Sequence, residues 1–376
     1  MSVRPFRINV SDAVLDDLRT RLLNSRFTTA SSDAYWAGGT DPGYLRELIA
    51  HWAGGFDWRA AEARLNEYPQ FLAEAGGRDV HFVHVKSKAS PDALPLVLTH
   101  GWPSSFVEML PLVGPLTDPA AHGLDPAVSF DVIVPSLPGF AWSQTMAGHF
   151  TRGGVADLWH ELVTGVLGYE RFGVFGGDIG GAVSMRTAAQ YPETVAGVHT
   201  IHPPFPGKFD PPPTAEEQAF MDAEEAYDVT DQGYSEIMGS RPDTIAAALV
   251  DSPAGLAAWI VDKYRDWTDD FDATWDRDTL LTMLTVYWAS GSIGSSFRQY
   301  FDYEHNKPGR PITVPVAVTL AHEPVMANFP RSIAERAATD LRHWSEPKLG
   351  GHFLPIEQPE LVTGELRAFF GPLAGA

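Results

Sequence analysis

Cysteine is absent from the 376-residue chain. That alone excludes disulfides, thiolate metal centres and a cysteine nucleophile. Basic residues are scarce, with 27 Lys and Arg against 48 Asp and Glu and a formal net charge of −21. Nucleic-acid binding needs clustered cations that displace counterions from phosphates, and no Lys/Arg run occurs, so no nucleic-acid partner is expected. Long apolar runs are missing too: nothing approaches the ~20 residues of a membrane span. The segment Met1–Val10 also lacks the apolar stretch of about 7–15 residues that marks a secretory signal. A cytoplasmic protein with no membrane contact is the expectation. What is present is ordinary globular usage, 44% hydrophobic and 20% charged, which sets aside disordered and fibrous classes. A chain of this length buries about 70–75% of its unfolded surface without help from a metal.

Periodicity divides the chain. Residues 1 to about 75 read mainly as helices: Val14, Leu15, Leu18, Leu22 and Leu23 share one face behind Ser11, a candidate N-cap, and further helices fall near Tyr44–Trp52 and Trp58–Leu65. Val80–Val85 then shows the β-branched and aromatic enrichment of a strand, followed by short apolar runs at Leu94–Leu98, Phe130–Val134, Gly173–Phe175 and Val195–Ile201. Strands alternating with helices predict an α/β fold with a mostly parallel, two-side-covered sheet. After Pro213 the alternation stops. Thr214–Glu217 is a capping-box pattern, and helices are predicted over Ile245–Leu256, Ala257–Trp267 and Leu280–Ser290. Val314–Leu320 resumes the strand pattern, and Pro359–Phe370 reads as a closing helix. The expected units are an N-terminal extension (1–78), a core in two parts (79–210 and 307–376) and a helical lid between them (211–306).

Phe175-Gly176-Gly177-Asp178-Ile179-Gly180-Gly181 carries the chemistry. An apolar strand enters it and a helix leaves it, with small residues at the two positions a strained nucleophile turn requires. The central residue is aspartate where an esterase would hold serine. A carboxylate attacks an sp³ carbon to give an alkyl-enzyme ester that water must then hydrolyse, which suits epoxides and alkyl halides. Leu98-Thr99-His100-Gly101-Trp102-Pro103 follows a buried strand as oxyanion loops do. The expected backbone donors are Trp102 and Ile179, and Trp102-Pro103 is a candidate cis bond. His100 reads as a structural loop residue and His202, beside Pro203 and Pro204, as packing. His352, in Gly350-Gly351-His352-Phe353, has the chain position of the hydrolytic base. The acid orienting it is expected after the Val314–Leu320 strand. Glu323 leads there, with Asp302, Glu304 and Asp340 as other carboxylates available.

Together the Asp178 elbow, the His100-Gly101-Trp102-Pro103 loop and Gly351-His352-Phe353 resemble the microsomal-type epoxide hydrolases of the α/β-hydrolase superfamily. So do Pro5-Phe6-Arg7-Ile8, Phe56-Asp57-Trp58-Arg59, Leu65–Phe71, Pro135–Phe140 and Asp251–Ile260. The resemblance implies an α/β-hydrolase core, a helical lid and that family's N-terminal extension, which could wrap the lid or support a homodimer. It implies two lid tyrosines that donate to the epoxide oxygen: Ser295–Tyr300 matches one segment and gives Tyr300, and Gly233-Tyr234 matches the other and gives Tyr234. No cofactor and no metal are implied, and the substrate would be a small apolar or aromatic epoxide, in keeping with Trp259, Trp267, Trp275, Tyr287 and Trp288 in the lid. Ile179 departs from the Trp of many relatives, and the membrane anchor of the mammalian members is not expected.

Two rivals share parts of this pattern. A haloalkane dehalogenase would use the same aspartate and histidine but needs N–H donors for halide, where the tyrosine pair suits an alkoxide. A silent α/β-hydrolase scaffold would bind a ligand without turnover, and has no chemical reason to retain aspartate, glutamate and histidine together. Metal and nucleotide chemistry rank lower. His81 and His84, three apart in a strand, point to opposite faces, and no GxxxxGK[ST] loop occurs.

Overall fold

Nine strands form one sheet in the computed structural model, which describes residues 3–375. They are β1 (Arg4–Phe6), β2 (Gln70–Ala75), β3 (Arg78–Val85), β4 (Pro95–Thr99), β5 (Asp131–Pro135), β6 (Phe172–Gly176), β7 (Val195–Thr200), β8 (Val316–Thr319) and β9 (Leu341–Ser345). Their order is β1-β2-β3-β5-β4-β6-β7-β8-β9. Pairings up to β3–β5 are antiparallel, and every pairing from β5 onward is parallel. Strands β4 to β8 are buried along their whole length, as a parallel sheet covered on both faces requires. Helices Leu110–Thr117 and Pro359–Ala374 pack together over the sheet, as do Arg152–His160 and Asp178–Gln190.

The N-terminal region departs from the helical reading. Its helices, Asp12–Leu23, Pro42–Gly54 and Trp58–Leu65, fall where expected. Ser11 stands at the N-cap of the first, yet its hydroxyl caps nothing. Residues 70–75, however, form β2, joined to β3 by Gly76-Gly77 with φ of +54° and +69°. Two left-handed residues in a two-residue loop suit the twist of a hairpin, and glycine takes that conformation without a Cβ clash. Through β1 and β2 this region is therefore woven into the sheet.

Between β7 and β8 the regular structure is helical, from Ala215–Asp231 to the turn at Tyr303–His305. The capping box forms as predicted, Thr214 accepting from Glu217 N–H and Glu217 reaching back to Thr214. Glu217 also takes Arg336 Nε at 2.8 Å and Ser332 Oγ at 2.8 Å, which fastens the insertion to the core helix Arg331–Ala337. One predicted boundary moves. The break falls at Ser252, between Pro242–Asp251 and Pro253–Trp267, and not after Leu256. Pro253 lacks the N–H that a continuing helix would use, and Ser252 Oγ accepts from Gly255 N at 3.0 Å to start the next helix. That bend is 118°, and among the described residues no single helix is long and apolar enough to cross a membrane.

Candidate active site

Five carboxyl ends of parallel strands, those of β4, β6, β7, β8 and β9, supply the polar groups of the site, where ligands bind in sheets of this kind. Asp178 follows β6 and opens helix Asp178–Gln190 with φ of +50°. A non-glycine residue there stores about 1–3 kcal/mol of strain that its surroundings must hold. Those surroundings are explicit. The Trp102 N–H donates to Asp178 Oδ1 at 2.8 Å, and the Asp178 N–H donates to His202 Nδ1 at 2.6 Å. Two glycines let the turn seat this closely: a Cβ on Gly180 would lie 1.9 Å from Thr99 O, and one on Gly101 would lie 2.3 Å from Asp178 Oδ1. The Trp102-Pro103 peptide is cis, and Ile179 is the second residue of the helix and lines the cavity described below.

His352 and Glu323 meet behind Asp178. Glu323 Oε2 takes His352 Nδ1 at 3.0 Å, while its Oε1 takes His202 Nε2 at 2.7 Å. Burial would raise the Glu323 carboxyl. The charge and hydrogen bond of His352, with the hydrogen bond from His202, outweigh it and hold the group well below the usual carboxylate range. Burial likewise opposes charge on His352, but Glu323 and then Asp178 overcome it and push the imidazole up to about 9. The other acids sit elsewhere: Asp302 is occupied by His149, Phe150 N–H and Arg298, Asp340 by Arg342, and Glu304 is exposed. His100 is buried, accepting Leu137 N–H at 3.1 Å and facing Gly101 O at 3.0 Å, as a structural loop residue would.

A cavity of about 820 Å³ opens over Asp178, lined also by Ile179, His202, Glu323, His352, Trp267, Tyr234 and Tyr300. The tyrosine rings lie edge to face, centroids 5.8 Å apart, and Tyr234 stacks on Trp102 at 5.3 Å and 9°. Burial and the Asp178 charge push both phenols up, so each keeps its proton at neutral pH. Of the aromatics expected around a pocket only Trp267 lines this one. Trp275 and Tyr287 are core, bonded to Thr268 Oγ1 and Ser104 O respectively.

Comparison with known proteins follows the same lines. Residues 3–109 match the family model "Epoxide hydrolase N terminus", and 95–359 match "alpha/beta hydrolase fold". Epoxide hydrolase 1 of Sus scrofa is 31% identical over 99% of this chain and 89% of its own. A Stigmatella aurantiaca protein named as a candidate epoxide hydrolase is 37% identical over 99% of this chain and 85% of its own. The chain belongs to the epoxide hydrolases. Among solved epoxide hydrolases, the juvenile hormone enzyme of Bombyx mori superposes with a TM-score of 0.87 at 26% identity, covering 100% of this chain and 94% of that one. The Aspergillus niger enzyme gives 0.83 at 28%, covering 99% and 97%.

Two side chains of this epoxide hydrolase escaped the sequence reading. His202 does not merely pack, since both its ring nitrogens bond within the site. Its signal was position, directly beyond the carboxyl end of β7. Glu108 lies with Asp178, His352, Ser104 and Trp102 around a narrow recess behind the nucleophile, and burial pushes its carboxyl up to about 7. A lone acid inside Phe106-Val107-Glu108-Met109-Leu110 was the overlooked sign. Ligating atoms of His202, Glu323 and His352 lie within 4.8 Å of one another, as do those of His149, Asp302 and His305. Neither set suits a metal. In the first, the imidazole nitrogens facing Glu323 serve as hydrogen-bond donors. In the second, the His149 and His305 rings stack at 3.5 Å and 22°, so their lone pairs run side by side and do not converge.

Proposed function

We propose that this epoxide hydrolase works through a covalent aspartyl ester and acts on uncharged apolar or aromatic epoxides. An Asp178 oxygen attacks an epoxide carbon, the carbon–oxygen bond breaks, and a phenol of Tyr234 or Tyr300 gives its proton to the departing alkoxide. Forming the ester cancels the Asp178 charge, which had helped to hold a proton on His352. Glu323 remains the main hold on that proton, but without the Asp178 charge the imidazole gives it up more readily once there is an ester to hydrolyse. Water then attacks the Asp178 carbonyl carbon and passes a proton to His352 Nε2, the nitrogen left free by the Nδ1 contact with Glu323. The Trp102 and Ile179 N–H groups hold the resulting oxyanion. Collapse re-forms the Asp178 carbonyl from the oxyanion pair and breaks the acyl C–O bond, whose oxygen leaves with the diol and takes the proton from His352, while the proton of the regenerated Asp178 carboxyl returns through solvent to the tyrosinate. The observation that carries the reading is the convergence, on one cavity, of a carboxylate, two protonated phenols and a carboxylate-held imidazole.

The test is the intact mass of a His352→Gln variant after exposure to styrene oxide and, in parallel, to a bromoalkane. Removing the base stalls hydrolysis, so a mass gain equal to the whole epoxide, mapped to Asp178, is expected. A gain equal to the alkyl group, from the bromoalkane alone, would replace this reading with dehalogenation.

A further inference from the structure

His202 occupies a place in the site that the ester mechanism leaves unused. Its Nδ1 receives the Asp178 backbone N–H at 2.6 Å and its Nε2 faces Glu323 Oε1 at 2.7 Å. A peptide N–H can only donate, so Nδ1 must carry a lone pair. The ring is then neutral, with its proton on Nε2, and that proton is donated to Glu323. Protonating Nδ1 would set two N–H groups head to head at the strained elbow. His352 takes the other Glu323 oxygen. The carboxylate therefore serves two imidazoles with fixed and different jobs.

We propose that His202 is a positioning residue, an imidazole held in one tautomer that ties the nucleophile's backbone to Glu323 and divides that carboxylate's pull on the His352 base. The proposal rests on the ester mechanism above for its effect on catalysis, but not for the protonation state. Three consequences follow from the geometry. The Asp178 N–H, an otherwise orphaned first donor of a helix, is satisfied while φ stays at +50°. Glu323 is anchored at both oxygens, so it cannot rotate away when His352 gains or loses its proton. And the field of Glu323 at His352 is weaker than that of an unshared carboxylate, which keeps the base from being held protonated too far above neutrality. The other charged or titratable groups facing this pair are Asp178 at the elbow, Glu108 on the turn Phe106–Met109, Glu357 beside the Gly351–Phe353 loop and Tyr227 on the lid helix. None of them bonds to Glu323 among the described residues.

The experiment has two arms. In wild-type protein with ¹⁵N-labelled histidine, long-range ¹⁵N–¹H spectra report the tautomer of each ring. In active enzyme at neutral pH His202 should show a bare Nδ1 and a protonated Nε2. A His202 ring that becomes doubly protonated near neutral pH in active enzyme would overturn the proposal. In the second arm, rapid quench separates alkylation of Asp178 from hydrolysis of the ester for His202→Met and His202→Gln, with folding checked by thermal melting. Loss of a hydrogen bond to a charged group predicts hydrolysis slowed about tenfold in His202→Met, with its pH midpoint moved to higher pH as Glu323 turns its undivided charge on His352. Glutamine, whose amide N–H can still reach Glu323, should restore the midpoint. An unchanged midpoint and an unchanged hydrolysis rate in both folded variants would leave His202 a packing residue. Failure of the His352→Gln protein to trap an ester would instead remove the mechanism, with the tautomer result still standing.

Discussion

At the scale of single residues, the site depends on how closely backbones can approach. Gly180 shows this most plainly, because a methyl group there would sit 1.9 Å from Thr99 O. That carbonyl belongs to the buried end of β4 and has nowhere to go. We therefore expect Gly180→Ala to displace the elbow from the Trp102 N–H and cut the rate of Asp178 alkylation by at least ~100-fold, the order a displacement of about 1 Å costs. Stopped-flow measurement of the alkylation step checks this. Asp178→Asn tests the side chain itself. An amide is no nucleophile toward an epoxide, so turnover should vanish while ligand binding, followed by quenching of the Trp267 or Trp102 fluorescence, survives. Asp178 and His352 were legible in the sequence because glycines mark tight turns and chain order marks role. His202 and Glu108 were not. Histidine beside two prolines and glutamate in an apolar run carry no periodic signal, and their meaning appears only when β4, β6, β7 and β8 bring their ends together.

At the scale of elements, the helix Gly233–Ser240 that carries Tyr234 is held from below. Lys263, on helix Pro253–Trp267, reaches Asp231 at 2.5 Å and Asp266 at 3.0 Å, and its ammonium lies 5.3 Å from the Tyr234 ring centre. Trp267 of the same helix donates to Asp231 at 2.9 Å and accepts His352 N–H at 2.9 Å. One helix thus sets the positions of a phenol and of the base together. Lys263→Met would leave Asp231, Asp262 and Asp266 without their common cation, a local loss of about 3 kcal/mol. Hydrogen exchange should rise first over residues 224–240, and epoxide opening should slow more than ester hydrolysis. The Ser252-Pro253 break that starts this helix was misplaced from periodicity, since the apolar pattern runs through it unchanged. Only the missing proline N–H and the serine cap decide the boundary. The strand β2 was hidden for the opposite reason, because Gln70–Ala75, between helix Trp58–Leu65 and β3, holds no β-branched residue and is rich in the Leu, Ala and Glu that favour helix.

For the whole molecule, charge matters more than any pair. Glu224, Asp228, Asp231 and Glu236 line the cavity alongside Asp178 and Glu323, with Arg152 as the one lining arginine or lysine among the described residues. Added to a formal net charge of −21, this predicts that an anionic epoxide is turned over more poorly than a neutral one of equal size. Added salt should narrow the gap, a comparison that steady-state kinetics at two ionic strengths can make. Acid should release the insertion. Arg336, the Thr214 N–H and Ser332 lower the Glu217 carboxyl from 4.5 to about 2. Its folded pKa lies below its unfolded one, so its contribution is complete above about pH 4.5 and is lost as pH falls toward 2. Tryptophan fluorescence should report the insertion separating from the core across that interval, and Arg336→Met should move the change to higher pH.

The strand order carries a consequence in time. Translation delivers Asp178 together with β4 and β6, its elbow partners, long before β8 and β9 bring Glu323 and His352. A chain caught between those moments, on the ribosome or after loss of its last strands, would own a reactive carboxylate with no means of clearing what it captures. Each such molecule could consume one epoxide and then stay modified. Under the proposed ester mechanism, finishing the sheet is what turns a trap into a catalyst.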